Sequence, residues 1–194
     1  TPGVKLDDCS VRVDAKPHHI QLSSLHAALY GGHTEGGLNI RNANPPILHL
    51  QQYFQNVQIS PLLIDLLGVH SLHGRGNAVI DLTSKGGKKA QWLSALNGRA
   101  SININQGSLE GIDFAKTLQN LRNNQTNHLV SDNEQTPFER FSLDTLIVNG
   151  VSQQSRSELI SGNVTVTSHG KTDFNLKTLQ ENVTVSVRND GRIN

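Results

Sequence analysis

Apolar and polar residues alternate with a period of two along much of this chain, most clearly near its middle. Ala100, Ile102 and Ile104 are separated by the polar residues Ser101 and Asn103. Successive side chains of a β-strand point to opposite faces of the sheet. The alternation therefore predicts a strand with one apolar and one polar face.

The residues around this strand predict a compact unit. The pairs Asn97-Gly98 and Gln106-Gly107 are typical of turns, and Leu109 then begins a short return strand. From Asp113 the apolar spacing becomes helical, with Asp113 as the helix cap and the helix running to about residue 121. The unit is therefore predicted to be strand, turn, short strand and helix.

Two more short helices are predicted, near 61–67 and 88–96. Ser60 is the expected N-cap of the first, with Pro61 at its first position and Gly68 ending it. Elsewhere the chain predicts short strands. They occupy the ranges 4–15, 20–30, 38–41, 47–59 (with a bulge near Tyr53-Phe54), 74–83, 141–148, 159–160, 164–167, 174–176 and 183–188.

These elements predict a fold that is mainly β with a few short α-helices. We expect a curved, mostly antiparallel, one-sided sheet, an open groove or a taco-like form with repeat-like units. The chain has 194 residues, which suits a single domain over 1–194. The polar, aperiodic segment 122–135 is predicted to be a mobile loop.

Composition argues against several functional classes. The net charge is +1, so electrostatics give no support for nucleic acid as a partner. The single cysteine, Cys9, excludes an intramolecular disulfide framework. No run approaches the roughly 18 apolar residues of a membrane span.

Candidate catalytic and metal sites are weak. His70 and His73 lie three residues apart, but no cysteine pair or acidic cluster completes a tetrahedral zinc site. The Gly74-Arg75-Gly76 sequence leads into a strand, unlike a phosphate-binding loop. We therefore expect no metal, no cofactor and no enzymatic activity.

Four segments, in order, resemble the C-terminal part of AsmA-family proteins. They are Leu29-Tyr30-Gly31-Gly32 followed by Ser60-Pro61-Leu62-Leu63, then Leu72-His73-Gly74-Arg75-Gly76, then Leu96-Asn97-Gly98 through Gly111-Ile112-Asp113, and finally Thr136-Pro137-Phe138 with Ile147-Val148-Asn149-Gly150-Val151. The resemblance covers about residues 4–188. The segment 122–135 is not part of the family pattern.

This resemblance implies a bacterial envelope protein. Family members are long one-sided β structures in the periplasm, anchored to the inner membrane by an N-terminal helix. The resemblance therefore implies that this chain is a fragment of such a protein. It also implies a role in outer-membrane assembly and in phospholipid transport between the inner and outer membranes.

The lipid-transport hypothesis predicts eight groove-lining residues on one concave face: Ala100, Ile102, Ile104, Val164, Val166, Val183, Val185 and Val187. Their neighbours Ser101, Asn103, Thr165, Thr167, Thr184 and Ser186 are predicted to lie outside. Aliphatic lining suits phospholipid or another acyl-chain lipid, which needs apolar area and little directionality.

Two alternatives remain open at this point. The eight residues could form a closed core rather than a groove. The protein could also be a structural or chaperone-like assembly factor that holds outer-membrane proteins by its strand edges. A carbohydrate-acting β enzyme is a weaker third interpretation, because the acidic residues that it needs do not cluster.

Overall fold

A computed structural model of the chain describes residues 4–111, 134–176 and 178–188. Its elements are β1 (Asp7–Lys16), β2 (His19–Leu29), β3 (Gly32–Arg41), β4 (Ile47–Gln58), α1 (Ile59–Leu67), β5 (Leu72–Lys85), α2 (Lys89–Ser94), β6 (Asn97–Glu110), β7 (Gln135–Val148), β8 (Val151–Ser161), β9 (Val164–Asp173) and β10 (Thr178–Val187).

The ten strands of the described residues form one sheet in which each strand lies beside its neighbours in sequence, from β1 to β10. Every pairing is antiparallel, and this confirms the predicted fold class. The β7–β8 connection is the predicted Asn149-Gly150 turn, with φ values of 51° and 74°. Both residues have left-handed backbones, as the favoured two-residue hairpin turns require.

The cross-strand registers divide the sheet into two faces, because directly paired residues point the same way. One face, called the apolar face below, carries a row of direct partners that crosses five strands. The row consists of Ile104, Phe141, Leu159, Val166 and Val185. The other face, called the polar face, carries the residues between them in sequence.

The core lies on the apolar face and extends from Leu29 in β2 to Val166 in β9. Helix α1 contributes Ile59, Leu62 and Leu63, all of which are buried. A one-sided sheet needs such cover, because its apolar face would otherwise remain in water.

The start of α1 differs from the sequence prediction. The helix begins at Ile59 with Gln58 as its N-cap, so Ser60 and Pro61 lie inside the first turn. Proline is tolerated there, because the first N–H groups of a helix have no intrahelical partner. The predicted end is confirmed: Gly68 adopts a left-handed C-cap with φ 72°.

The two turns predicted at Asn97-Gly98 and Gln106-Gly107 are wrong, because β6 runs through both without reversing. Gly98 is needed for close packing, since a Cβ there would meet the Asp81 carbonyl oxygen at 2.0 Å. Gln106 has φ 59° and is the extra residue of a bulge opposite β5. Gly98 thus marks a close strand contact and Gln106 marks a bulge, and neither residue reverses the chain.

The bulge predicted near Tyr53-Phe54 is confirmed a little further along, where Asn56 has φ 53° and the register shifts between Phe54 and Val57.

The helix predicted at 113–121, with its Asp113 cap, lies outside the described residues, as does 122–133. Gln135, predicted to belong to the loop, is the first residue of β7. No helix in the described part is long and apolar enough to cross a membrane.

Candidate functional site: the apolar face of the sheet

The registers bring all eight predicted lining residues to the apolar face. Val166 pairs with Val185, and Val164 pairs with Val187. On β6, Ile102 pairs with Leu143 and Ala100 with Thr145, on the same side as the row through Ile104. Leu143 pairs in turn with Ser157, Ser157 with Ser168, and Ser168 with Val183. Val183 therefore lies on the same face as Ile102.

The exposure of these eight residues rises towards the β10 edge. Ile104 is fully buried, and Val164 and Val166 are each 8% exposed. Val185 is 39% exposed and Val183 is 59% exposed. The remaining three, Ala100, Ile102 and Val187, are half-buried. The apolar face is therefore a packed core along the row from Ile104 to Val166 and an open apolar surface at β10.

The opposite edge of the sheet is open in the same way. Val13 on β1 pairs with Leu22 and is 59% exposed. Ile20 on β2 also lies on this face, opposite Ile40, and is exposed. Sequence reasoning marked these residues as strand-forming but did not include them in the lining, although the alternation of Val13 and Ile20 with polar neighbours carried the same signal.

A helix covers the apolar face at each end of the strands. Helix α1 joins the end of β4 to the start of β5, whereas α2 joins the end of β5 to the start of β6. Ser84, which is buried on the apolar face, donates a hydrogen bond to the Trp92 carbonyl oxygen of α2 at 2.6 Å. The N–H of Gly150 donates to the Leu96 carbonyl oxygen at 2.8 Å just beyond α2. The two helices therefore bound the face along the strand direction.

Small hydroxyl residues interrupt the apolar face on β7 to β9. Ser157 and Ser168 lie 2.9 Å apart and share a hydrogen bond, as do Thr145 and Ser152 at 2.6 Å. Because each hydroxyl is satisfied by its cross-strand partner, these groups cost little when they are covered by apolar matter. On this half of the sheet the apolar side chains are concentrated towards the α1 end.

A cavity of about 1300 Å³ opens mainly on the polar face, and not on the predicted apolar side. Ser101, predicted to lie outside, borders it, and Ala100 is the one member of the predicted eight that does so. The apolar side chains packed around Ile104 fill the core part of the apolar face, so the large cavity does not form there. The charged lining residues are Asp81, Arg99, Asp144, Arg156, Lys171 and Glu181.

The polar face is stabilised by cross-strand hydrogen bonds. His49 Nε2 lies 2.8 Å from Asp81 Oδ1, and Gln51 Nε2 donates to Asp81 Oδ2 at 3.2 Å. These two hydrogen bonds, first from His49 and then from Gln51, lower the pKa of Asp81. The charged form of Asp81 thereby links β4 to β5 on the side away from the core.

The histidine pair considered for a metal does not come together as a site. His70 is exposed before β5, whereas His73 lies in β5 with its Nε2 2.9 Å from Glu110 Oε1. This contact between His73 and Glu110 is close but is not a hydrogen bond, because His73 Nε2 is buried without a hydrogen-bond partner. Within the described ranges, no three histidine, cysteine or acidic residues are grouped to hold a metal ion.

Comparison with known proteins places the chain in one family. No curated protein and no solved structure matches it significantly. The model of the AsmA family matches residues 1–156, most of the chain. This match includes all four segments that carry the resemblance, the last of which ends at Val151. The chain therefore belongs to the AsmA family, whose members are associated with the bacterial envelope.

Proposed function

We propose that the apolar face of this sheet holds the acyl chains of phospholipid and forms one segment of a path between the inner and outer membranes. The observation that carries the proposal is the shared face of the eight predicted residues, which is buried at Ile104 and exposed at Val185 and Val183. A face of this kind has apolar area that is still accessible to a ligand.

The size and chemistry of the face suit acyl chains. The ten described strands, spaced about 4.8 Å apart, span about 43 Å, whereas one acyl chain spans about half of the roughly 30 Å hydrocarbon core of a bilayer. Each buried methylene of an acyl chain contributes about 0.8 kcal/mol without any directional contact. Val183 and Val185 offer such area without a polar anchor.

The proposal assigns the longer protein to the periplasm, anchored to the inner membrane by an N-terminal helix. Membership of a bacterial envelope family supports this assignment. The proposal includes no cofactor and no chemical step. Alanine substitutions of His70, His73 or Asp81 should accordingly leave lipid binding unchanged.

Binding of a fluorescent phospholipid to the Ile102→Asp variant tests the proposal. Ile102 is half-buried on the apolar face between Ala78 and Leu143. If the face is open to lipid, the variant should stay folded and lose binding, because a carboxylate cannot be covered by acyl chains without a large desolvation cost. Asn103→Asp is the matched control, since it adds the same charge to the adjacent, exposed position on the polar face.

The closed-core alternative gives a different pattern in the same experiment. In a closed core, Ile102→Asp would bury an unpaired carboxylate and unfold the domain. Thermal unfolding followed by circular dichroism separates the two cases. If Ile102→Asp is unfolded and the parent chain binds no phospholipid, the transport proposal is wrong.

A further inference from the structure

The two edge strands of the sheet are unlike each other. β1 carries five charged residues among ten, namely Asp7, Asp8, Arg12, Asp14 and Lys16. Its register with β2 shifts twice, and Asp8 has a left-handed backbone with φ 47°. Charges and bulges of this kind prevent another strand from pairing with an edge.

β10 has almost none of these features. Its ten residues pair with β9 in an unbroken register from Thr178 to Val187. Glu181 is its one charged residue, and the strand contains neither proline nor lysine. Within the described ranges, β9 is the one strand that pairs with it. β10 therefore presents a regular row of backbone N–H and C=O groups on its outer side, which is the arrangement that accepts another strand.

The exposed side chains of β10 add to this. Leu179, Val183 and Val185 are all exposed on the apolar face. The residues between them on the polar face are uncharged, for example Asn182 and Thr184. Glu181 lies on the apolar face between Leu179 and Val183, so a strand that adds to β10 must place mainly apolar residues on that face and uncharged polar residues on the other.

We infer that the strand that fits this edge is β10 of a second copy of the chain, paired antiparallel about a two-fold axis perpendicular to the sheet. Such an axis keeps the apolar face of both copies on the same side, and it makes the interface isologous. A second β10 has the required alternation, because it places mainly apolar residues on the apolar face and uncharged polar residues on the polar face. Two ten-stranded sheets would then form one continuous sheet.

Charge does not oppose this pairing. If the axis passes at Val183, Glu181 faces Val185 of the second copy and Thr184 faces Asn182, so no like charges meet directly. The net charge of the chain is only +1, which gives little long-range repulsion between copies.

Sedimentation velocity of the chain and two lysine variants tests the inference. The parent should sediment as a species of twice the 21.1 kDa chain mass. Val183→Lys should raise the dissociation constant by about tenfold or more, a change of about 1.4 kcal/mol, because two lysines would face each other across the axis. Val13→Lys is the matched control, since Val13 is equally exposed on the same face at the opposite edge, and this variant should remain dimeric.

Hydrogen exchange provides a second readout that does not depend on a variant. The amides of β10 should gain protection as the protein concentration rises, whereas those of β1 should not. A parent that stays monomeric at its highest soluble concentration would overturn the inference. Equal effects of the two lysine variants would overturn it as well, and so would a monomeric parent that takes up a strand from another protein at β10.

Discussion

Val166 on β9 pairs directly with Val185 on β10, and the exposed fraction of the side chain rises from 8% to 39% between these two partners. The same row of side chains is therefore a packed core on one strand and an accessible surface on the next. Substitutions along the row should accordingly affect stability at its buried end and ligand binding at its exposed end.

The buried end of the row is tested by Ile104→Ala. Ile104 is fully buried, so the free energy of unfolding should fall by about 2–5 kcal/mol, from lost apolar burial and the cavity left behind. Val79→Ala is the comparison, because Val79 is exposed on the polar face of the neighbouring strand. Urea denaturation measures both. Equal losses for the two variants would mean that the core is not on the face described here.

Two glycines test the packing of α2 against the sheet. Gly150 and Gly162 both have left-handed backbones in turns, with φ values of 74° and 57°. A Cβ at Gly150 would meet the Leu93 carbonyl oxygen of α2 at 2.3 Å, whereas a Cβ at Gly162 meets nothing within 4 Å. Gly162→Ala should cost about 1–2 kcal/mol from backbone strain alone. Gly150→Ala should cost clearly more in the same denaturation experiment, and a smaller cost would show that α2 does not pack there.

The connection between α1 and the β2–β3 turn is predicted to depend on alkaline pH. The Tyr30 hydroxyl donates a hydrogen bond to the Asp65 carboxylate, and burial together with this bond raises the pKa of Tyr30. Because the folded pKa lies above the unfolded value near 10, the stabilisation is complete below that value and is lost as the pH rises through the folded pKa.

Absorbance titration of the phenolate checks this directly. The chain has only two tyrosines, so Tyr53→Phe leaves Tyr30 as the sole chromophore of this kind. Its midpoint should lie above 10 in the folded protein and should fall in urea. Asp65→Asn, which removes the negative charge, should bring the folded midpoint closer to the urea value. A folded midpoint at or below the urea value would contradict the contact.

Period-two alternation was sufficient to predict the mainly β fold and the shared face of the eight lining residues. A strand pattern such as that of Val183, Val185 and Val187 assigns side chains to faces directly, and antiparallel pairing then aligns the apolar faces of neighbouring strands. The Asn149-Gly150 turn was predictable for a similar reason, since its left-handed backbone is a local property of those residues.

Other features depended on tertiary contacts that no local pattern carries. Gly98 and Gly107 resemble turn residues, but each is required where a strand backbone approaches another, at the Asp81 and His73 carbonyl oxygens respectively. The alternation also could not show that the large cavity lies mainly on the polar face. The cavity on the polar face borders Ser101, while Ile104 is buried under other apolar side chains.

Organic extraction and mass spectrometry of the purified chain show whether the apolar face holds phospholipid. We expect phospholipid to co-purify with the parent and with Ser186→Asp, which adds a charge to the polar face of β10. Phospholipid should be lost from Val185→Asp, which adds the same charge one residue away on the exposed end of the apolar face. If the parent chain carries no phospholipid, or if both folded variants carry equal amounts, the apolar face does not bind phospholipid.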